Sequence, residues 1–354
     1  MIKKTLITIS IFVLSCTNVP LIFADDSCVN LGISKEFNIF VTKNLYQHNV
    51  DTKGRVAVGN DASFTDYALG KELSNSSGTR DDLIVNGNLS FMNGKSYNGN
   101  IVHKDQANIS SVLVPNGTVI KGSRINFNDE YNYLNNLSQQ ISNYPINGAA
   151  NRSKGQLTLI GSDVKQNIFS INNFDLSGIY SISIQTPASS TVVINISGLD
   201  VQLSKLAWNI TGSGSQVLIN MPYVKNLTTS EIGIYGSILA PNADVLFNNG
   251  QINGNIIAKS MSGTGEAHNL LFNGCISQPK RVVGGGVVDP TQAPLPTVEP
   301  TSVTKKDPVQ SVQPTAQNEN QQLADTGKNL LPYLIIGIIL IIAVGILNSN
   351  KVKQ

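Results

Sequence analysis

The chain has 354 residues, a formal net charge of +2 and only 14% charged residues. That length holds one large domain or a pair of small ones. So small a charge excess argues against a nucleic-acid partner, which needs Lys and Arg gathered on one face, and abundant Gly and Asn with few aromatics suit a turn-rich β protein better than a helical one.

At the N-terminus Lys3 and Lys4 precede an apolar run from Thr5 to Leu14. Pro20 breaks the run, and Ile22-Phe23-Ala24 ends on a small residue before Asp25. This order predicts a secretion signal, residues 1–24, cut after Ala24. The run is shorter than the ~20 residues of a membrane span. A competing reading stays open: Val13-Leu14-Ser15-Cys16 looks like a lipoprotein processing box with Cys16 as the lipid acceptor, although Leu14 stands where a smaller residue is commoner. Once the signal is removed, Cys28 and Cys275 remain and bracket the middle of the chain. An extracellular compartment favours a disulfide between them over two free thiols. No CxxC or metal-ligand spacing is present.

From residue 25 to 277, short β-branched runs recur between Asn, Gly and Ser turns. Examples are Arg55-Val56-Ala57-Val58, Asp82-Leu83-Ile84-Val85, Ser111-Val112-Leu113-Val114, Thr191-Val192-Val193-Ile194-Asn195-Ile196 and Gln216-Val217-Leu218-Ile219. Each has the length and composition of a strand. One unit repeats: Phe91-Met92-Asn93-Gly94 leads to Asn98-Gly99-Asn100-Ile101, and Phe247-Asn248-Asn249-Gly250 leads to Asn253-Gly254-Asn255-Ile256. A stacked β-solenoid produces such repeats, because each coil buries its apolar side on the next; a β-sandwich accommodates them as well. One helix is expected to interrupt the strands. It opens at Asn128-Asp129-Glu130, carries Tyr131, Leu134, Leu137 and Ile141 at helical spacing, and stops before Pro145.

Residues 278–322 change character, with Pro279, Pro290, Pro294, Pro296, Pro300, Pro308 and Pro314 among Thr, Val and Gln. This composition buries no core and reads as a disordered, extended stalk that reaches on the order of 100 Å in the polyproline conformation. Residues 323–354 follow as a unit. Leu323-Ala324-Asp325-Thr326-Gly327 precedes an apolar run, residues 330–347, and Lys351 and Lys353 close the chain. The run reads as a transmembrane helix with its basic tail inside. The whole resembles a sortase wall-sorting signal, with Ala324 in place of the consensus Pro. The resemblance implies a sortase as processing partner and peptidoglycan as the final attachment.

The middle region resembles choice-of-anchor A domains. Phe37-Asn38-Ile39-Phe40-Val41, then Gly54, Arg55, Val56, Val58 and Gly59, look like their opening. Leu83-Ile84-Val85-Asn86-Gly87-Asn88-Leu89 looks like the next segment. Gly236, Leu239, Ala240, Pro241 and Asn242 with Gly250, Gly254 and Asn255 form the strongest match, and His268-Asn269 with Phe272 and Gly274 is similar to the closing motif. The resemblance spans nearly all of residues 31–274 and is weakest over 149–221. It implies an adhesive domain on a surface protein, folded as a right-handed β-helix with one flanking helix, similar to bacterial ice-binding proteins.

No catalytic residue, cofactor or metal site is expected. His48, His103 and His268 lack partners at ligand or nucleophile spacing, and Asp61 with Asp66 or Asp81 with Asp82 fit no calcium loop. The expected function is therefore a wall-anchored adhesin that binds an extracellular ligand such as a glycan or matrix polymer. An ice or lattice binder and a polysaccharide-active β-helix enzyme are the alternatives.

Overall fold

The structure is a computed structural model that describes residues 28–279. The expected signal 1–24, Cys16, the stalk beyond residue 279, the motif Leu323 to Gly327 and the span 330–347 lie outside the described residues. Among those described, no helix is long and apolar enough to cross a membrane.

The middle region is mainly β, and almost every strand pairing is parallel. The chain returns on itself after each turn: Ile39 pairs with Val56, Leu45 with Ala62 and Val50 with Tyr67. Those registers define a coil with a helix-covered face, an open face and a third face. A continuous parallel stack of this kind rules out the β-sandwich. The open and third faces belong to single long strands with one left-handed bend between the two faces. Leu45–Thr52 bends at Asn49, Ala62–Leu69 at Asp66, Leu89–Ser96 at Asn93 and Ser237–Asn253 at Asn249, each with φ near +50°. Asn and Asp tolerate this left-handed conformation better than other residues with a Cβ. The repeated units thus mark equivalent turns of the coil. Phe91 and Phe247 point inward, Asn93 and Asn249 make the bend, and Ile101 and Ile256 enter the helix-covered face.

The order of the rungs is not the order of the chain. On the helix-covered face the stack runs Gln166–Asn172, Thr191–Ser197, Val217–Asn220, Ser237–Asn253 and Ile256–Gly263. It continues with Ile39–Val41, Val56–Val58, Asp81–Val85, Asn100–His103 and Val119–Lys121. The first rung in sequence therefore sits in the middle, against the last. The region 149–221, where no motif was legible, supplies the far end of the stack, with a separate sheet of Ala149–Ser153, Gln156–Ile160, Ser181–Gln185 and Ala207–Ile210.

Each strand run named from sequence has its centre in a strand, although Arg55 and Val114 fall just outside theirs and Gln216 closes a short 3-10 turn. Ser111 departs from the expected pattern: it is the bend inside Ala107–Leu113 rather than a strand start. The helix spans Phe127–Ser142 and begins slightly earlier than its acidic pair suggests. Asn126 is the N-cap, and its side chain accepts from the backbone of Asn128 and Asp129. Leu134, Leu137 and Ile141 are fully buried against Phe40, Ala57, Val193, Leu218 and Ile257. Tyr131 is only half-buried; its hydroxyl donates to Asn242 at 3.0 Å. Inside the coil, Phe64 stacks on Tyr67 at 4.5 Å and meets Phe91 edge-on at 5.4 Å. Cys28 and Cys275 form a disulfide across the short antiparallel ribbon of Cys28–Val29 and Ile276–Ser277.

Candidate ligand-binding face

Three surfaces run the length of the coil, and two are compromised for ligand binding. The first is occupied by the helix. The third face carries acidic side chains that already have partners: Asp51 pairs with Lys53 at 2.6 Å, and Glu266 is bonded to His268 at 3.0 Å. Burial works against the charge of Lys53, but the bonded Asp51 carboxylate, with Glu266 and Glu72 near, outweighs it and holds the ammonium above its ordinary range. Asp82 is fully buried against Arg80 and Asp81 meets Arg124, so these acidic residues serve the fold.

The open face is different. Alternation along each strand sends Leu45, Phe64, Phe91, Leu227 and Val245 inward and the residues between them outward. The parallel register aligns the outward residues into ladders. One ladder reads Gln202, Thr228, Leu246 and Ser262 in its upper half and Tyr46, Ser63, Ser90 and Asn108 in its lower half. It contains no charged residue. An adjoining ladder places His48, Thr65, Met92 and Ser110 side by side on successive rungs. Charges are confined to the edge, where Lys259 pairs with Asp244 at 2.7 Å. Burial opposes the Asp244 charge, but the Lys259 ammonium and the Ser260 hydroxyl outweigh it and hold that carboxyl below its ordinary range. Such a surface offers many neutral hydroxyls and amides at a fixed repeat, which suits a repeating polymer or lattice. Among the described residues no cluster of three or more His, Cys, Asp or Glu is placed to hold a metal ion.

The sequence profile of the family described as "Putative Ice-binding-like adhesive domain" matches residues 30–269. The chain belongs to that family. No curated protein matches it. Among solved structures, this ice-binding-like adhesive domain is similar to an ice-binding protein from the Antarctic ascomycete Antarctomyces psychrotrophicus. The identity is 11%, the match covers 70% of this chain and 99% of that one, and the TM-score is 0.30. It is also similar to an ice-binding protein from an Antarctic bacterium of the Flavobacteriaceae, at 10% identity over 71% and 100% of the two chains, with a TM-score of 0.25.

The motif residues named from sequence do not lie on the open face of the adhesive domain. Most of them build the seam where the first and last rungs meet and the dock of the helix; Gly250 sits at a bend between two other rungs. Asn255 is fully buried. Its amide donates to the carbonyls of Phe37 (2.7 Å) and Lys35 (3.3 Å), and its oxygen accepts from Ser237 Oγ and the Phe272 N–H. Gly254 has no room for a Cβ against the Gly236 carbonyl, and Gly59 has none against that of Thr42. Gly54 abuts the Asn38 side chain, and Gly250 abuts Ile232. Arg55 lies over the Phe37 ring at 4.2 Å and pairs with Glu36 at 2.7 Å. Val56, Val58 and Ala240 fill the core, while Leu239 points to the helix. Pro241 leads into Asn242, whose amide bonds Asn135 of the helix at 2.8 Å and the Pro222 carbonyl at 2.9 Å. The open-face residues were missed because their only signal is positional. Tyr46, Ser63 and Ser90 become neighbours only when the inward residues of successive coils are aligned.

Proposed function

We propose that this protein is a cell-surface adhesin of the choice-of-anchor A kind that binds a repetitive extracellular polymer through its open face. The observation that carries the reading is the uncharged ladder running the length of the one unobstructed face. The coil is taken as right-handed, the sense adopted by nearly all parallel strand–crossover–strand connections. Action by binding rather than catalysis is supported by the third face, whose carboxylates Asp51 and Glu266 are bonded to Lys53 and His268. The family's name also carries an ice-binding reading, which ice-growth inhibition on the same sample addresses. A glycan-cleavage assay addresses the enzyme reading.

The test applies the purified protein to an array of glycans, matrix proteins and wall fragments. Thr65→Arg together with Ser90→Arg places charge and bulk on the open face and is expected to weaken binding at least ten-fold. Ala68→Arg on the third face leaves binding as it was. Equal binding by all three forms would remove the open face from the proposal.

Anchoring follows from the sorting signal. A sortase cysteine attacks the Thr326 carbonyl, Gly327 leaves, and the acyl-enzyme passes Thr326 to a peptidoglycan amine. The Thr326→Ala protein is therefore expected to be extracted by detergent, whereas the wild type is released only by wall-degrading enzyme. Unchanged wall linkage in the variant would end the sortase assignment.

A further inference from the structure

The open face is not uniform: its large side chains recur on every second rung. In the main ladder Leu246 is 43% exposed and Tyr46 is 47% exposed, with Ser262 on the rung between them. Continuing past the Ser63 and Thr65 rung, the next large side chain is Met92, 43% exposed, in the adjoining ladder. The apolar platforms are thus two rungs apart, roughly 9.5 Å at the usual strand spacing. Single exposed apolar residues are ordinary on any surface. A large–small–large alternation along an otherwise hydroxyl-rich face is not, because each platform is flanked by small side chains that leave it standing clear.

We propose that this face binds chains of β-1,4-linked pyranoses, such as N-acetylglucosamine or glucose polymers, laid along the coil axis. In such a chain successive rings turn over by half a turn, so the same ring face recurs once per disaccharide. That repeat is close to the length of two rungs. The C–H face of every second ring rests on Leu246 and Tyr46. Ser262 and Ser63 meet the hydroxyls of the rings between, and Met92 extends the track obliquely. The ladder has no charge to recruit an acidic polymer, and the protruding Tyr46 and Leu246 interrupt the flatness that an ice surface needs. The assignment rests on the open face being the binding face, and deepens that reading by naming the ligand class.

Depletion isotherms of the purified protein on insoluble chitin and on microcrystalline cellulose test it, with amylose as the α-linked control. The two β-linked supports tell the acetamido sugar from glucose. Binding to at least one of them, at least ten-fold tighter than to amylose, is expected. The decisive variant combines Tyr46→Ser with Ser63→Tyr, which keeps the composition and moves the platform by one rung. It is expected to keep the wild-type melting temperature and to lose at least ten-fold in affinity, with Tyr46→Ser alone losing a similar amount. Undiminished binding by the shifted variant, or equal binding to amylose, overturns the spacing argument. If the protein ignores both β-linked supports yet binds another polymer in a manner sensitive to Thr65→Arg and Ser90→Arg, the ligand class is wrong and the open-face reading stands. If those arginine substitutions affect no binding, both fall.

Discussion

Replacing Cys28 and Cys275 with serine is expected to lower the stability of the domain by about 5 kcal/mol, which for a domain of this size is roughly 10 °C or more in melting temperature. The bond joins positions 247 residues apart, so in the unfolded chain it closes a loop that spans nearly the whole domain. Loop-closure entropy grows with the logarithm of loop length, which puts a bond of this span near the top of the usual range. The two Cα atoms are 4.9 Å apart, within the ordinary range for disulfides, and Cys275 directly precedes the strand that pairs with Cys28–Val29. Denaturation with and without reductant, on wild type and the double serine variant, checks the figure. A loss below about 1 kcal/mol would show that the unfolded chain is already constrained by other means.

The second large effect is expected at Asn255. Its side chain is the meeting point of segments from both ends of the domain. Truncation by Asn255→Ala strips partners from the Phe37 carbonyl, the Ser237 hydroxyl and the Phe272 N–H, all in a site closed to water. Each unsatisfied buried group costs about 1–3 kcal/mol. The variant should lose on the order of 3–5 kcal/mol by urea denaturation. The loss should be local before it is global, so hydrogen exchange in Ile39–Val41 and at the start of Ile256–Gly263 should quicken more than in Val217–Asn220. Uniform quickening throughout the coil would mean that the seam opens only with global unfolding.

Much of the fold is legible in the sequence because its determinants are local. The helix is visible in the spacing of Leu134, Leu137 and Ile141, and the strands in their β-branched runs. The equivalence of two coils shows in the Asn-Gly pairs that follow Phe91 and Phe247. The bracketing cysteines announce their own bond. The rung order is not legible, because nothing near Ile39 in sequence says that its neighbour is Ile256. In the region 149–221 the rungs are held by Ile and Val contacts and by single buried asparagines, Asn167, Asn195 and Asn220, whose partners lie far off in the chain or in irregular turns and leave no local pattern. The make-up of the open face was hidden for a related reason. A Thr-x-Thr pattern would run along the chain, whereas this ladder runs across it at irregular intervals, from Tyr46 to Ser63 to Ser90. The family motif residues point elsewhere because Gly54, Gly254 and Asn255 sit where backbones crowd and buried polar groups must be matched.

The interleaved rung order also sets the time at which the molecule becomes complete. After the N-terminal coils have stacked, the edge of Ile39–Val41 is still unpaired on one side, and its partner Ile256–Gly263 comes some two hundred residues later in the chain. Contacts between positions so far apart in sequence form slowly. A growing chain therefore cannot close this seam from the front: its N-terminal coils keep one bare strand edge, at Ile39–Val41, until the last coil has emerged.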